Sequence, residues 1–257
     1  MIDLHCHILH DIDDGPETLE ASLGMARMAV EDGITIVAAT PHGRSSSSVS
    51  RRYSVDRLHT RLNELRSALA QERLPLKLIA GTEIFFEGDL PDRLKAGELL
   101  TYGTSQTVLI EFPGNILPAA LEQGIFAVQL AGYRVLVAHP ERIKAVQKDP
   151  NVLIPLIERG ALMQLTADAL LGSQGDKMQQ LCETLLTHGM AHVLASDAHG
   201  PHVQRLPQLS AAHQRATELL GKKVADTLVR QTPAALLVDR MPDLPEPQRV
   251  ESRRWFW

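Results

Sequence analysis

The sequence predicts an α/β fold in which parallel strands close into a distorted (β/α)7 barrel of the TIM-like kind, and three observations predict it. Short apolar runs of four to six residues alternate with segments whose apolar residues recur every three or four positions. That is the pattern of buried parallel strands joined by helices. Seven such runs are present, and nearly every one hands over to a polar or ionisable residue. In an open doubly wound sheet, strand ends spread along a line, whereas a closed barrel gathers all the C-terminal ends around one mouth. Histidines and carboxylates at so many strand ends favour the closed form.

The elements follow in order. A strand over residues 2–5 runs into His5 and His7, and the acids Asp11, Asp13 and Asp14 lead to Gly15. Leu19, Leu23, Ala26 and Val30 then fall at helical spacing, and Gly33 stands where a C′ glycine would end that helix. A β-branched run over 34–39 delivers Pro41 and His42. The serine- and arginine-rich segment 44–52 has no periodicity and reads as a mobile loop. Ser54 is an N-cap for a helix striped by Val55, Leu58, Leu62, Leu65 and Leu69. A strand over 76–80 leads to Gly81, Thr82 and Glu83, and a helical segment follows Pro91. A strand over 107–110 leads to Glu111, a helix covers 118–131, and a strand over 134–138 ends at His139 and Arg142. Helical patterns over 150–159 precede a strand over 161–165, which ends at Thr166 and Asp168. A helix with Met178, Leu181 and Leu185 precedes the strand 192–195, which ends at Asp197 and His199, and 208–237 reads as helical. The barrel is expected over 1–240. A proline- and acid-rich linker then opens a tail, 241–257, that carries both tryptophans, Trp255 and Trp257, beside Phe256.

Composition narrows the function classes. A chain of 257 residues with 44% hydrophobic and 22% charged residues builds a sizeable core, within the range of one α/β barrel. A formal net charge of −5 argues against a general nucleic-acid-binding surface. No apolar run approaches the roughly 20 residues that span a bilayer, and a strand with its histidines starts at the first methionine, so a cytoplasmic location is expected. Two cysteines, Cys6 and Cys182, are too few for a disulfide framework. Neither precedes the short phosphate-binding loop ending in arginine that would activate a thiolate. The oligomeric state stays open, with a homo-oligomer among the possibilities.

His5 and His7 project from one face of an extended strand. With His42, Glu83, Glu111, His139, Asp197 and His199 at strand ends, and Asp14 beside them, nine candidate ligands point to one mouth. Imidazoles and carboxylates without thiolates suit manganese, iron, zinc or magnesium, and nine ligands suffice for two or three ions. Clustered ions about 3.5–4 Å apart are an arrangement for in-line displacement at phosphorus by a bridging hydroxide, without a protein nucleophile. A cationic anchor should stand nearby. Arg142 is the best placed, with Arg205, Arg44, Arg51 and Arg52 as weaker candidates. His10, His59, His188, His192, His202 and His213 read as structural or solvated, and Asp11 and Asp13 as loop acids.

The segments HCH, DIDDGP, TPH, GTE, IEFP, AHPER and SDAH, in that order, carry a resemblance. The sequence resembles the polymerase-and-histidinol-phosphatase (PHP) superfamily, and within it the CpsB/YwqE-type metal-dependent protein-tyrosine phosphatases of exopolysaccharide synthesis. The resemblance implies a PHP-type barrel with three ions. It places His5, His7, Glu83 and Asp197 on the first, Glu83, Glu111 and His139 on the second, and Asp14, His42 and His199 on the third. It implies Mn2+ as the usual ion and Arg142 as a phosphate contact. Arg142, His42 and Asp197 are expected to be catalytic, and Arg142 and Arg205 to bind substrate. The implied partner is a phosphotyrosine protein, a bacterial tyrosine kinase carrying phosphotyrosines in its C-terminal tail. Rival expectations are a phosphatase for a small phosphomonoester such as histidinol phosphate, a phosphodiesterase, and an inactive metal-bound regulatory module.

Overall fold

The structure is a computed structural model that describes residues 1–44, 53–201 and 205–251. Arg51, Arg52, His202, Trp255, Phe256 and Trp257, with most of the predicted mobile loop, lie outside the described residues.

Strand β1 (Ile2–Cys6) is followed by helix α1 (Leu19–Glu31), strand β2 (Ile36–Ala39), helix α2 (Val55–Gln71) and strand β3 (Lys77–Ala80). Thr18 and Ser54 cap α1 and α2, their side chains accepting from Ala21 N and Arg57 N. These caps satisfy backbone donors that a helix start leaves open. Gly33, at φ +85°, lets the chain leave α1 in the left-handed conformation that a C′ position favours. Strand β4 (Glu83–Phe85) and helix α3 (Leu90–Lys95) come next, then β5 (Thr107–Glu111), α4 (Pro118–Leu130) and β6 (Arg134–Ala138). Helices α5 (Lys144–Lys148) and α6 (Ile154–Glu158) lead to β7 (Leu162–Thr166), α7 (Ala167–Leu170), α8 (Asp176–Thr187) and β8 (Val193–Ala195). Helices α9 (Ser210–Leu220) and α10 (Lys222–Asp226), a π-helical turn at Thr227–Gln231, and α11 (Thr232–Leu237) complete the order.

Among the described residues the strands are eight, not the seven expected. The additional one is β4, and it makes Glu83 the first residue of a strand rather than a residue past the end of β3. Three residues behind Gly81 and Thr82 are too short a run to leave a periodic signal.

All the strand pairings are parallel, in two sheets ordered β1-β2-β3 and β4-β5-β6-β7-β8. Single parallel bridges join them at both seams, Cys6 to Ala198 and His42 to Glu83. Side chains from both sheets, among them Ile2, Leu4, Ala38, Leu109, Leu136, Ala138, Leu162 and Val193, pack into one buried cluster between them. A larger cluster, including Val37, Val108, Ile110, Val135, Val137, Met163 and Leu165, packs the opposite strand faces against the helices. Strands buried on both faces are why the runs read as continuously apolar. Among the described residues no helix is long and apolar enough to cross a membrane.

Part of the expected linker is tied down. Gln248 N donates to the His188 carbonyl at 2.8 Å, and Asn151 exchanges two hydrogen bonds with the Val250 backbone. Backbone groups with such partners order a proline-rich segment that composition alone reads as free.

His192, at the entry to β8, is 1% exposed; its Nδ1 accepts from Met163 N at 2.9 Å while Nε2 has no partner. Burial depresses its pKa from 6.5 to about 4. The unfolded chain therefore binds this proton from about pH 6.5 downward while the fold resists it until about 4, so stability falls as pH drops through that window. Wild-type protein is expected to lose roughly 3 kcal/mol from this group. Urea unfolding at successive pH values, compared with His192→Asn, checks it; parallel curves would refute the assignment.

Candidate metal centre

The strand seams assemble the site. Asp197 N donates to the His5 carbonyl at 2.7 Å and His7 N to the Ala198 carbonyl at 2.8 Å, which lays the segment after β8 along β1. At the other seam Gly43 N donates to the Glu83 carbonyl at 2.8 Å and Glu83 N to the Pro41 carbonyl at 3.1 Å, so His42 stands beside Glu83. Asp3, which sequence reasoning passed over, staples the first seam: its carboxylate accepts from Ser196 N, Ser196 Oγ and His5 N. His139 and Asp197 hold positive φ values, 32° and 51°. For residues other than glycine this backbone costs about 1–3 kcal/mol each and persists where surrounding contacts enforce it.

Glu83 is the hub. Its Oε1 lies 2.9 Å from His139 Nε2 and 3.3 Å from His5 Nε2, and its Oε2 lies 3.0 Å from His42 Nδ1 and 3.1 Å from His7 Nε2. Asp197 Oδ1 is 3.2 Å from His5 Nε2 and 3.5 Å from His7 Nε2. Asp14 Oδ1 is 3.4 Å from His199 Nε2 and 3.6 Å from His42 Nε2. Among the described residues three groups of donor atoms result, each within 4.8 Å: His5, His7, Glu83 and Asp197; His7, Asp14, His42 and His199; and His42, Glu83 and Glu111. His139 lies against the last group, 3.9 Å from Glu111 Oε1. All nine ligand candidates from the sequence therefore converge.

These donors fit divalent cations. Glu83 Oε2 is buried without a hydrogen-bond partner although two imidazoles approach it. The His5 and His7 Nε2 atoms face each other at 3.3 Å. Ring nitrogens and carboxylate oxygens aimed at a common point are suited to ions that take imidazole and carboxylate ligands. The electrostatics agree. Burial opposes charge on Glu83 and Asp197, yet the surrounding histidines, and for Asp197 also Arg142, hold both carboxyls well below the usual range. Burial likewise opposes a charge on His7, but Asp13, Asp197 and Glu83 raise it well above an ordinary histidine. Asp14 is lowered to about 2 against its burial, chiefly by His199. Glu111 moves the other way, raised by burial and by the Glu83 charge. Protons and divalent ions thus compete for the same nitrogens.

Asp13 and Asp11 depart from the reading as loop acids. The Asp13 side chain is buried, with Oδ2 at 2.7 Å from His7 Nδ1 and accepting from His42 N at 2.9 Å. It orients one candidate ligand and anchors the backbone of another, as carboxylates behind metal-ligating histidines do. Gly15 makes this loop possible, since a Cβ there would come within 2.4 Å of the His7 carbonyl. Asp11 bonds Arg57 and Arg61 on α2, fixing the far side of the loop. The acidic run itself was the only signal, and nothing in its spacing tells orienting acid from ligand. Asp13→Ala is expected to weaken ion binding about 10- to 100-fold, measured by titrating Mn2+ into chelator-stripped protein; wild-type affinity would refute that role.

Arg142 Nη2 donates to Asp197 Oδ2 at 2.7 Å and Arg205 bonds the same oxygen, so two guanidiniums flank the ligand cluster. Arg44 instead lies beside Tyr53 and Glu98 in a separate hollow. A larger hollow of about 710 Å³, lined by Phe126, Leu130 and Arg134, is at the N-terminal ends of β5 and β6, away from the histidines. Both cysteines are buried and their thiols pushed up, Cys6 well above an ordinary cysteine, so neither is a thiolate nucleophile.

The family description "Capsular polysaccharide synthesis, CpsB/CapC" matches residues 1–238. The chain belongs to the CpsB/CapC family. Among CpsB/CapC relatives, the Bacillus subtilis tyrosine-protein phosphatase YwqE is 32% identical over 259 residues, covering 100% of this chain and 99% of YwqE. The tyrosine-protein phosphatase CpsB of Streptococcus pneumoniae is 25% identical over 246 residues, covering 94% of this chain and all of CpsB. A solved CpsB/CapC structure, from a study of YwqE and pneumococcal CpsB as metal-dependent tyrosine phosphatases, superposes with a TM-score of 0.90 at 31% identity. It covers 98% of this chain and 100% of that one. An organophosphorus hydrolase from Deinococcus radiodurans shares the fold at a TM-score of 0.60 and 15% identity, each chain covered to 92%.

Proposed function

We propose that this chain is a metal-dependent protein-tyrosine phosphatase that hydrolyses phosphotyrosine on a bacterial tyrosine kinase controlling capsular or exopolysaccharide synthesis. The observation that carries the reading is the convergence of nine imidazole and carboxylate side chains, Glu83 at their hub, with two arginines at the edge. Full-length similarity to proteins named tyrosine-protein phosphatases supports it.

The nine residues His5, His7, Asp14, His42, Glu83, Glu111, His139, Asp197 and His199 would hold two or three ions, with Mn2+ the expected one. Bound divalent ions supply Lewis-acid charge neutralisation at a phosphoryl group and a water acidic enough to act near neutral pH. Arg142 and Arg205 turn from Asp197 to grip phosphoryl oxygens, a task for planar guanidiniums. Asp197 and His42, at the edges of the ligand groups, keep these donors and the phosphoryl group in register. The leaving phenolate has a pKa of about 10, so no dedicated general acid is required.

The fold reading behind this is a barrel of the PHP type over 1–240, with 241–257 a tail. The bridges at both seams and the shared interior cluster support closure. Steady-state rates on a phosphotyrosyl peptide and on histidinol phosphate, each with Mn2+ and with chelator, test the function. Chelator-sensitive preference for the peptide is expected, and preference for histidinol phosphate or chelator-insensitive turnover would overturn it.

A further inference from the structure

Strand β7 carries a glutamine, Gln164, whose strand neighbours Met163 and Leu165 and cross-strand partners Ala138 and Val193 are apolar. Along Leu162, Gln164 and Thr166 the even positions face the cluster between the sheets, while Met163 and Leu165 face the helices. Gln164 is completely buried and paired in register with Ala138 on one side and Val193 on the other. Its Oε1 lies 2.9 Å from His5 Nδ1, and its Nε2 is buried with no hydrogen-bond partner. An amide group left unpaired in an apolar interior costs stability, so a residue serving packing alone would be leucine or methionine here.

What the glutamine does follows from the imidazole it touches. His5 presents Nε2 to Glu83, Asp197 and His7, and Nδ1 to Gln164. A neutral imidazole carries its proton on one nitrogen only. With Oε1 turned toward His5, the amide accepts from Nδ1–H and leaves the Nε2 lone pair aimed into the ligand cluster. With the amide reversed, the proton would sit on Nε2 and block it. We infer that Gln164 is a positioning residue that fixes the tautomer and ring orientation of His5 for a divalent cation, as Asp13 does for His7.

The difference between the two partners has a charge rationale. Glu83, Asp197, Asp13, Asp14 and Asp3 already place five carboxylates around His5 and His7. A carboxamide supplies the acceptor without a further negative charge in the same buried space. The unpaired Nε2 is the consequence of using an amide where only its oxygen is needed.

The inference rests on the proposed metal centre, and the experiment separates the two. Mn2+ is titrated into chelator-stripped wild type, Gln164→Met and Gln164→Glu, with dissociation constants read by competition against a metallochromic chelator. Thermal unfolding midpoints are recorded for the three metal-free proteins. Gln164→Met is expected to bind Mn2+ about 10- to 100-fold more weakly while its metal-free midpoint stays at or above wild type. Gln164→Glu, which keeps the acceptor, is expected to bind at least as tightly as wild type. Wild-type affinity in Gln164→Met, equal weakening in Gln164→Glu, or a metal-free midpoint that falls with the affinity would each overturn the role. Absence of Mn2+ binding by the wild type would instead overturn the metal centre.

Discussion

Glu83→Gln is expected to lower turnover of a phosphotyrosyl peptide by on the order of 10³-fold and to deplete the purified protein of ions. The substitution keeps the shape and removes the charge that one buried carboxylate presents to His5, His7, His42 and His139, all within 3.3 Å of it. Among the described residues Glu83 is also the one carboxylate that belongs to two of the three donor groups. Removing one partner from a buried charged network costs far more than removing an exposed ion pair, because the remaining groups stay buried without their counter-charge. Steady-state kinetics with saturating Mn2+, beside elemental analysis of the same preparation, checks both halves. Undiminished turnover at full ion content would remove Glu83 from the centre of the mechanism.

Arg142→Ala is expected to lower kcat/KM on the same peptide by roughly 10²- to 10³-fold while leaving ion content unchanged. The guanidinium reaches the outer oxygen of Asp197 at 2.7 Å, close enough to transfer its hydrogen bonds to a phosphoryl oxygen. Asp197 turns its other oxygen to His5 and His7, so the arginine is not needed to hold the ligand group together. Arg142→Lys is expected to recover little, because a point charge does not reproduce the planar fork. Normal kinetics in the alanine variant would assign the anchoring to Arg205, which bonds the same oxygen. Loss of ions from Arg142→Ala would instead make it a structural partner of Asp197.

The strand-end histidines and acids were legible because parallel strands buried on both faces leave long apolar runs, and any ionisable residue closing such a run stands out. His139 after RVLVA and Asp197 after HVLA are of this kind. Strand β4 was not legible, since its three residues carry no period, and with it went the correct placement of Glu83 at a strand start. The family resemblance partitioned the ligands into three sets. The structure draws the groups somewhat differently, with His7 among Asp14, His42 and His199, and His42 beside Glu83 and Glu111.

The sequence by itself determined the alternating α/β order, the helix capped by Ser54 and the identity of eight of the nine converging donors, all but Asp14, because each depends on local periodicity or on a residue's place at the end of a run. Only the tertiary structure decided which acids orient and which are poised to bind. Asp11, Asp13 and Asp14 are chemically alike and adjacent, yet one meets two arginines of α2, one supports His7 from behind, and one faces His42 and His199. Gln164 is the same case at longer range: 159 positions from His5, it meets that ring only because β7 and β1 border a common interior. Contacts between distant strands are set by how the sheets pack and by register, and neither leaves a mark on the residues that come to touch.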